Sequence, residues 1–100
     1  MAYFIQTSDR AGTEAKRLEI RPAHLRYLDS TKDLLLACGA KLDEDGKATG
    51  SVYLVDVETR EEAEAYLAGD PFAQADLFGE VQIEQWRKAF LDRQRFVELD

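Results

Sequence analysis

Gly50-Ser51-Val52-Tyr53-Leu54-Val55-Asp56-Val57 runs straight into Glu58 and then Thr59-Arg60-Glu61-Glu62. The first eight residues are β-branched or aromatic at most positions and read as a strand. The next four form a capping box, in which the Thr59 hydroxyl and the Glu62 carboxylate satisfy opposing backbone N–H groups at the start of a helix. A strand that passes directly into a capped helix is half of a βαβ unit. Ala63, Tyr66 and Leu67 then face inward along the second helix, and Gly69 is placed to end it in a left-handed cap. Asp70-Pro71-Phe72 opens a further short turn of helix, reaching about Leu77, with an aspartate N-cap and proline at the first helical position. Val81 and Ile83 alternate with Gln82 and Glu84, so a last strand spans about Val81 to Trp86, where Trp86 serves as an anchor.

Working backwards, Ala2 to Thr7 reads as the first strand, with Tyr3, Ile5 and Thr7 on one parity, ended by the turn Ser8 to Gly12. Pro22 marks the first turn of the first helix, expected from about Pro22 to about Lys32, with Glu14 to Glu19 as a loop or an extra turn. Leu25, Leu28 and Leu35 fall together on a helical wheel, and His24 and Thr31 share that stripe, while Arg26 and Asp33 point away. Leu34 to Cys38, closed by Gly39, suits a buried second strand, and Lys41 to Thr49 is turn chemistry.

The order strand, helix, strand, strand, helix, strand defines an α+β, ferredoxin-like βαββαβ sandwich, a four-stranded antiparallel sheet with both helices on one face. Residues 1–100 are expected to be one domain, with a core over about 2–90 and a tail over 91–100 that the pattern does not place. The opposite sheet face would carry either Tyr53 and Val55 or their alternates Val52 and Leu54, and a homodimer packing sheet on sheet would cover it.

Composition narrows the function. The chain has 45% hydrophobic residues with only 6 Gly and 2 Pro, which supports a packed core and argues against disorder. Thirteen Lys+Arg against 20 Asp+Glu give a net charge of −7, which disfavours nucleic acid and anionic membrane surfaces as partners. One cysteine excludes an internal disulfide, and with one histidine it excludes zinc-finger arithmetic. The N-terminal residues lack a basic stretch and a long apolar run, so a cytoplasmic protein without a signal peptide is expected. No phosphate-binding loop, dinucleotide fingerprint or G-x-S-x-G elbow occurs, and Asp43, Glu44 and Asp45 lack calcium-loop spacing, so no cofactor and no metal are expected.

His24, in Arg21-Pro22-Ala23-His24-Leu25, is the best general base or acid available. Its alternative role is a hydrogen-bonded filler at the core edge. Asp70 is first a helix cap. In the expected topology, however, the end of helix two approaches the start of helix one, so Asp70 could hold the His24 ring and fix its tautomer. Arg21 lies one turn before His24 and could bind an anionic substrate, and Thr49-Gly50-Ser51 opens the third strand, where Gly50 and Ser51 could line a pocket. Cys38 reads as a small buried hydrophobe.

Together these pieces resemble the YCII-related family of small ferredoxin-like proteins over about Tyr3 to Phe90. They are Lys16-Arg17-Leu18 with Arg21 and His24-Leu25, Leu35 to Gly39, Thr49-Gly50-Ser51, Glu62-Ala63, Asp70-Pro71-Phe72 and Trp86 to Phe90. The chain departs from the pattern where the family often has Gly-Pro and this sequence has Gly39-Ala40. The resemblance implies a dimeric α+β barrel assembly and an active site pairing a helix-one histidine with the aspartate of the Asp-Pro dipeptide, here His24 and Asp70. One branch of the family is similar to an enzyme that removes chloride from a chlorinated hydroxyhydroquinone with that pair. The expected activity is therefore metal-independent acid–base catalysis of lyase or isomerase type on a small polar or aromatic metabolite. A non-catalytic ligand-binding or accessory domain is the alternative.

Overall fold

The computed structural model describes residues 2–100; Met1, the first residue of the expected domain, lies outside them. The strands are β1 (Ala2–Asp9), β2 (Leu35–Leu42), β3 (Ala48–Val55) and β4 (Phe78–Trp86), and they form one sheet in the order β2-β3-β1-β4. Every neighbouring pair is antiparallel. Helix α1 (Glu14–Ser30) connects β1 to β2, while α2 (Arg60–Ala68) and the single turn α3 (Pro71–Gln74) connect β3 to β4. This is the expected α+β ferredoxin-like arrangement.

Register decides which side chains meet the helices. Tyr3 pairs with Val55, Ile5 with Tyr53 and Thr7 with Ser51, and all six are buried. They form the floor of a core completed by Ala63, Tyr66 and Leu67 of α2, Phe72 of α3, and Leu77 and Phe78. Full burial of side chains such as Ile5, Phe72 and Leu77 contributes roughly 1.5–3 kcal/mol each. The alternate parity, Phe4 with Leu54 and Gln6 with Val52, lies on the other face and is half-buried. Of the two parities considered from sequence, Val52 and Leu54 are therefore the ones on the open face.

Several local expectations need correction. Helix α1 begins at Glu14 rather than Pro22, and Pro22 sits inside it. The proline removes the bond its N–H would give to the Leu18 carbonyl and crowds that carbonyl, a cost the helix bears while its fixed φ stays helical. Buried Arg17 and half-buried Ile20 hold the earlier turns. The inner face of α1 is consequently Arg17, Ile20, His24, Tyr27 and Leu28, continued by Thr31; Leu25 is 42% exposed, and Leu35 belongs to β2. Strand β2 also starts later and runs longer than expected, after a 3-10 turn at Lys32–Leu34, and as an edge strand it is half-buried or exposed rather than buried; β4 begins at Phe78 rather than Val81.

Helix α2 carries the capping box as read, with Thr59 Oγ1 accepting from the Glu62 N–H and Glu62 Oε1 accepting from the Thr59 N–H. Gly69, however, ends it with φ −79, not in the left-handed region. Glycine is required there by proximity: a Cβ would lie 2.6 Å from the Tyr27 hydroxyl, which donates to the Tyr66 carbonyl next to it. The tail forms a small hairpin, β5 (Phe90–Leu91) with β6 (Gln94–Arg95), turned by Asp92 and Arg93 at φ 52 and 65. Among the described residues no helix is long and apolar enough to cross a membrane.

Candidate active site

Two turns of α1 separate Arg17 from His24, which puts both on its inner face, and both are 6% exposed. Asp70 reaches His24 from the junction of α2 and α3 and is fully buried. Its carboxylate does several jobs at once. As the N-cap of α3, Oδ1 accepts the Phe72 N–H at 2.8 Å. Oδ2 accepts the Tyr53 hydroxyl at 2.6 Å. His24 Nδ1 lies 2.9 Å from Oδ1 and 2.8 Å from Oδ2, so its proton is shared between the two oxygens.

A carboxylate has only acceptor capacity, so Nδ1 is the donor and the neutral ring keeps its lone pair on Nε2. No protein group among the described residues bonds Nε2. The ring stacks on Phe72, with centroids 3.9 Å apart and planes 16° from parallel, which fixes its tilt, while the bond to Asp70 fixes its tautomer. Burial, followed by the Asp70 charge, raises the Tyr53 pKa far above the ordinary tyrosine value, so its hydroxyl remains a donor. The same two causes in the same order push the Cys38 thiol up to about 11, which makes it a poor nucleophile.

His24 lines a cavity of about 620 Å³ between α1 and the β2–β3 hairpin. Leu18, Leu25, Leu28 and Leu42 supply apolar wall, while Arg17 is paired with Asp9, Lys47 is paired with Glu14, which also lines the cavity, and Arg21 is the unpaired cation among the described lining residues. Arg21 lies on this wall, exposed, with no hydrogen bond or ion pair to the described residues. Ser51 also lines it, but its Oγ accepts from Arg17 Nη2 at 2.8 Å. Gly50 stands behind, where its carbonyl accepts from the same nitrogen at 3.0 Å. A Cβ on Gly50 would strike the Thr7 backbone carbonyl, so this glycine is needed for close strand approach. Among the described residues no group of three or more His, Cys, Asp or Glu side chains is arranged to hold a metal.

The structure thus brings His24 and Asp70 into contact, sets Arg21 and Ser51 on the same cavity, and leaves Gly50 beside it. Three participants were missed. Arg17 holds both oxygens of Asp9, at 3.0 and 2.8 Å, and lies 4.6 Å over the Phe72 ring. Its signal was available, because it precedes His24 by seven residues on one helical face. Tyr53 was read only as a strand residue of one sheet-face parity and Phe72 only as part of the Asp70-Pro71-Phe72 helix start, since the Tyr53–Asp70 bond and the His24–Phe72 stacking depend on how the chain folds back.

Comparison with known proteins shows the family and the fold. The YCII-related domain profile matches residues 1–87. Protein YciI of Escherichia coli O6:H1 and of Shigella flexneri are each 34% identical over 98 residues, covering 90% of this chain and all of theirs. Among solved structures, 5-chloro-2-hydroxyhydroquinone dehydrochlorinase (TftG) of Burkholderia phenoliruptrix, in complex with 2,5-dihydroxybenzoquinone, superposes with a TM-score of 0.80 at 30% identity. The match covers 87% of this chain and 94% of that one. Protein Atu4242 of Agrobacterium tumefaciens shares the fold, with a TM-score of 0.53 at 18% identity over 94% of this chain and all of that one. With a family profile over most of its length and relatives at this level of identity, the chain belongs to the YCII-related family.

Proposed function

We propose that this protein is an acid–base enzyme in which His24 and Asp70 form the catalytic pair. The observation that carries the reading is a histidine whose Nδ1 is committed to a buried carboxylate while the ring borders a cavity of about 620 Å³. Nε2 would take a proton from a substrate hydroxyl or carbon, and the Asp70 carboxylate would stabilise the imidazolium formed. The electron pair left on the substrate then forms a new double bond as a leaving group departs, or picks up the proton at another position. His24 returns its proton to product or water. Lyase and isomerase chemistry both follow from this cycle.

The substrate class is a small hydroxylated or quinonoid ring, supported by two features. The cavity combines apolar leucines with an unpaired arginine, suited to a planar molecule bearing a phenolate or carboxylate. The similar dehydrochlorinase holds a dihydroxybenzoquinone. Arg21 would bind the anionic oxygen, Ser51 would border it, and Gly50 would keep the strand close. We also propose a homodimer through the open sheet face, where Phe4, Val52 and Leu54 present apolar surface.

Hydroxyquinones and chlorinated hydroquinones screened by absorbance against wild type, His24→Ala and Asp70→Asn test the reading. Turnover that drops by about 10²–10⁴-fold in both variants is expected. Turnover that persists in His24→Ala would remove the imidazole from the reaction. For the assembly, Leu54→Lys is expected to yield a monomer in sedimentation at micromolar concentration, and a monomeric wild type would contradict the dimer.

A further inference from the structure

We propose that Tyr53 is a positioning residue for the His24–Asp70 pair: its hydroxyl anchors one carboxylate oxygen of Asp70 and thereby limits how strongly that carboxylate draws on the imidazole N–H. The proposal rests on His24 and Asp70 acting together, and goes beyond it by adding a third member that sets the strength of the pair.

The argument starts from the near-equal distances of Nδ1 to the two oxygens, 2.9 and 2.8 Å. A carboxylate free to rotate about χ2 would offer a single oxygen and make one linear bond. Here each oxygen already has another donor on it. The Phe72 N–H holds Oδ1 at 2.8 Å, and the Tyr53 hydroxyl holds Oδ2 at 2.6 Å. With both corners pinned from opposite partners, neither oxygen can turn to take the imidazole proton alone. Each donor also withdraws electron density from the carboxylate and lowers its appetite for the third. Tyr53 is rigid in this role. It is fully buried in β3, its ring packs edge-on against His24 at 6.3 Å and Tyr66 at 6.4 Å, and its pairing with Ile5 fixes its height in the sheet.

The groups around the pair leave Tyr53 as the one that can tune it. From α1, Arg17 is ion-paired to Asp9 of β1, and the Tyr27 hydroxyl is raised to about 12, mainly by burial. From β2 comes Cys38, raised to about 11, and from α2 comes Tyr66, raised chiefly by burial. None of these thiol and phenol groups changes charge in the neutral range where an imidazole titrates.

The test is an NMR titration of the His24 ring in wild type, Tyr53→Phe and Asp70→Asn. In Tyr53→Phe the released oxygen becomes a stronger acceptor. The imidazole midpoint should rise by roughly 0.5–1 pH unit, the equivalent of one ordinary hydrogen bond. The Nδ1–H proton should move downfield as the shared bond becomes a single linear one. A filler role would move neither. An unchanged midpoint and proton shift in Tyr53→Phe, alongside a changed midpoint in Asp70→Asn, would overturn the role of Tyr53 and leave the pair standing. No change in either variant would overturn the pair as well. Should Tyr53→Phe not fold, replacement of Tyr53 by 3-fluorotyrosine supplies the opposite sign: a more acidic hydroxyl donates more strongly, and the midpoint should fall. A midpoint that stays or rises with the fluorinated ring overturns the proposal.

Discussion

Arg17 and His24 occupy equivalent positions on α1, two turns apart, and each reaches a carboxylate, half-buried Asp9 or buried Asp70, while touching the ring of Phe72. Their surroundings diverge from there. Arg17 spends its terminal nitrogens on Asp9, the Gly50 carbonyl and Ser51, and ties α1 to β1 and β3. His24 spends one nitrogen on Asp70 and has no protein partner for the other. A buried polar group with all its bonds made contributes rigidity and little chemistry, whereas one with a single unsatisfied atom at a cavity wall can exchange a proton. On the proposed function, two groups of similar burial on one helix face divide the labour, one as a clamp and one as a reactive centre.

The sharpest way to break this division is Arg17→Met. It leaves Asp9 as an uncompensated carboxylate with its side chain only 9% exposed, and should cost about 3–5 kcal/mol in urea denaturation. Adding Asp9→Leu should recover most of that loss, because an apolar replacement of both partners is well tolerated. If Arg17→Met is stable, Arg17 is not a clamp.

Asp70→Asn comes next, at roughly 1–3 kcal/mol, because one amide oxygen and one amide nitrogen must now face three donors. The His24 titration midpoint should fall with the loss of the adjacent negative charge, which ring NMR reads directly. As a helix cap alone the change would be nearly silent.

Ser51→Ala should cost about 1 kcal/mol, the price of one bond to the guanidinium, and leave the His24 titration where it was. A displaced titration would show that the clamp and the reactive centre are coupled rather than separate.

The smallest effect appears only in alkali. Tyr53 binds its proton more tightly folded than unfolded, so its contribution is complete below pH 10 and is lost as pH rises above that. Half a unit above pH 10 the Tyr53 share of the loss is just under about 1 kcal/mol, and Tyr53→Phe should lower the slope there by that share, with Tyr27, Tyr66 and Cys38 supplying the rest. An equally steep curve in the variant would place the alkaline loss elsewhere.

How far these features are legible in the sequence depends on whether their cause is local. Strand β3 and its capping box are governed by neighbours within four residues, and both form as read apart from a two-residue shift of the strand. The start of α1 was misplaced because Pro22 is strong local punctuation, while the force that extends the helix upstream is the long-range anchoring of Arg17. That arginine sits in a run of charges, and such a run ordinarily lies in water. His24 and Asp70 were recognisable as chemistry from their residue types. Tyr53 was not, since a tyrosine in a strand shows its apolar ring long before the destination of its hydroxyl is known.

The N–H of Phe72 ends on the same carboxylate that holds His24, and this gives the site a clock. A backbone amide exchanges its hydrogen with solvent only when its bond opens, so deuterium uptake at Phe72 records each release of Asp70 Oδ1. Because the first turn of α3 and the imidazole hang from one residue, that single amide reports how often the whole arrangement comes apart and how a bound ligand slows it.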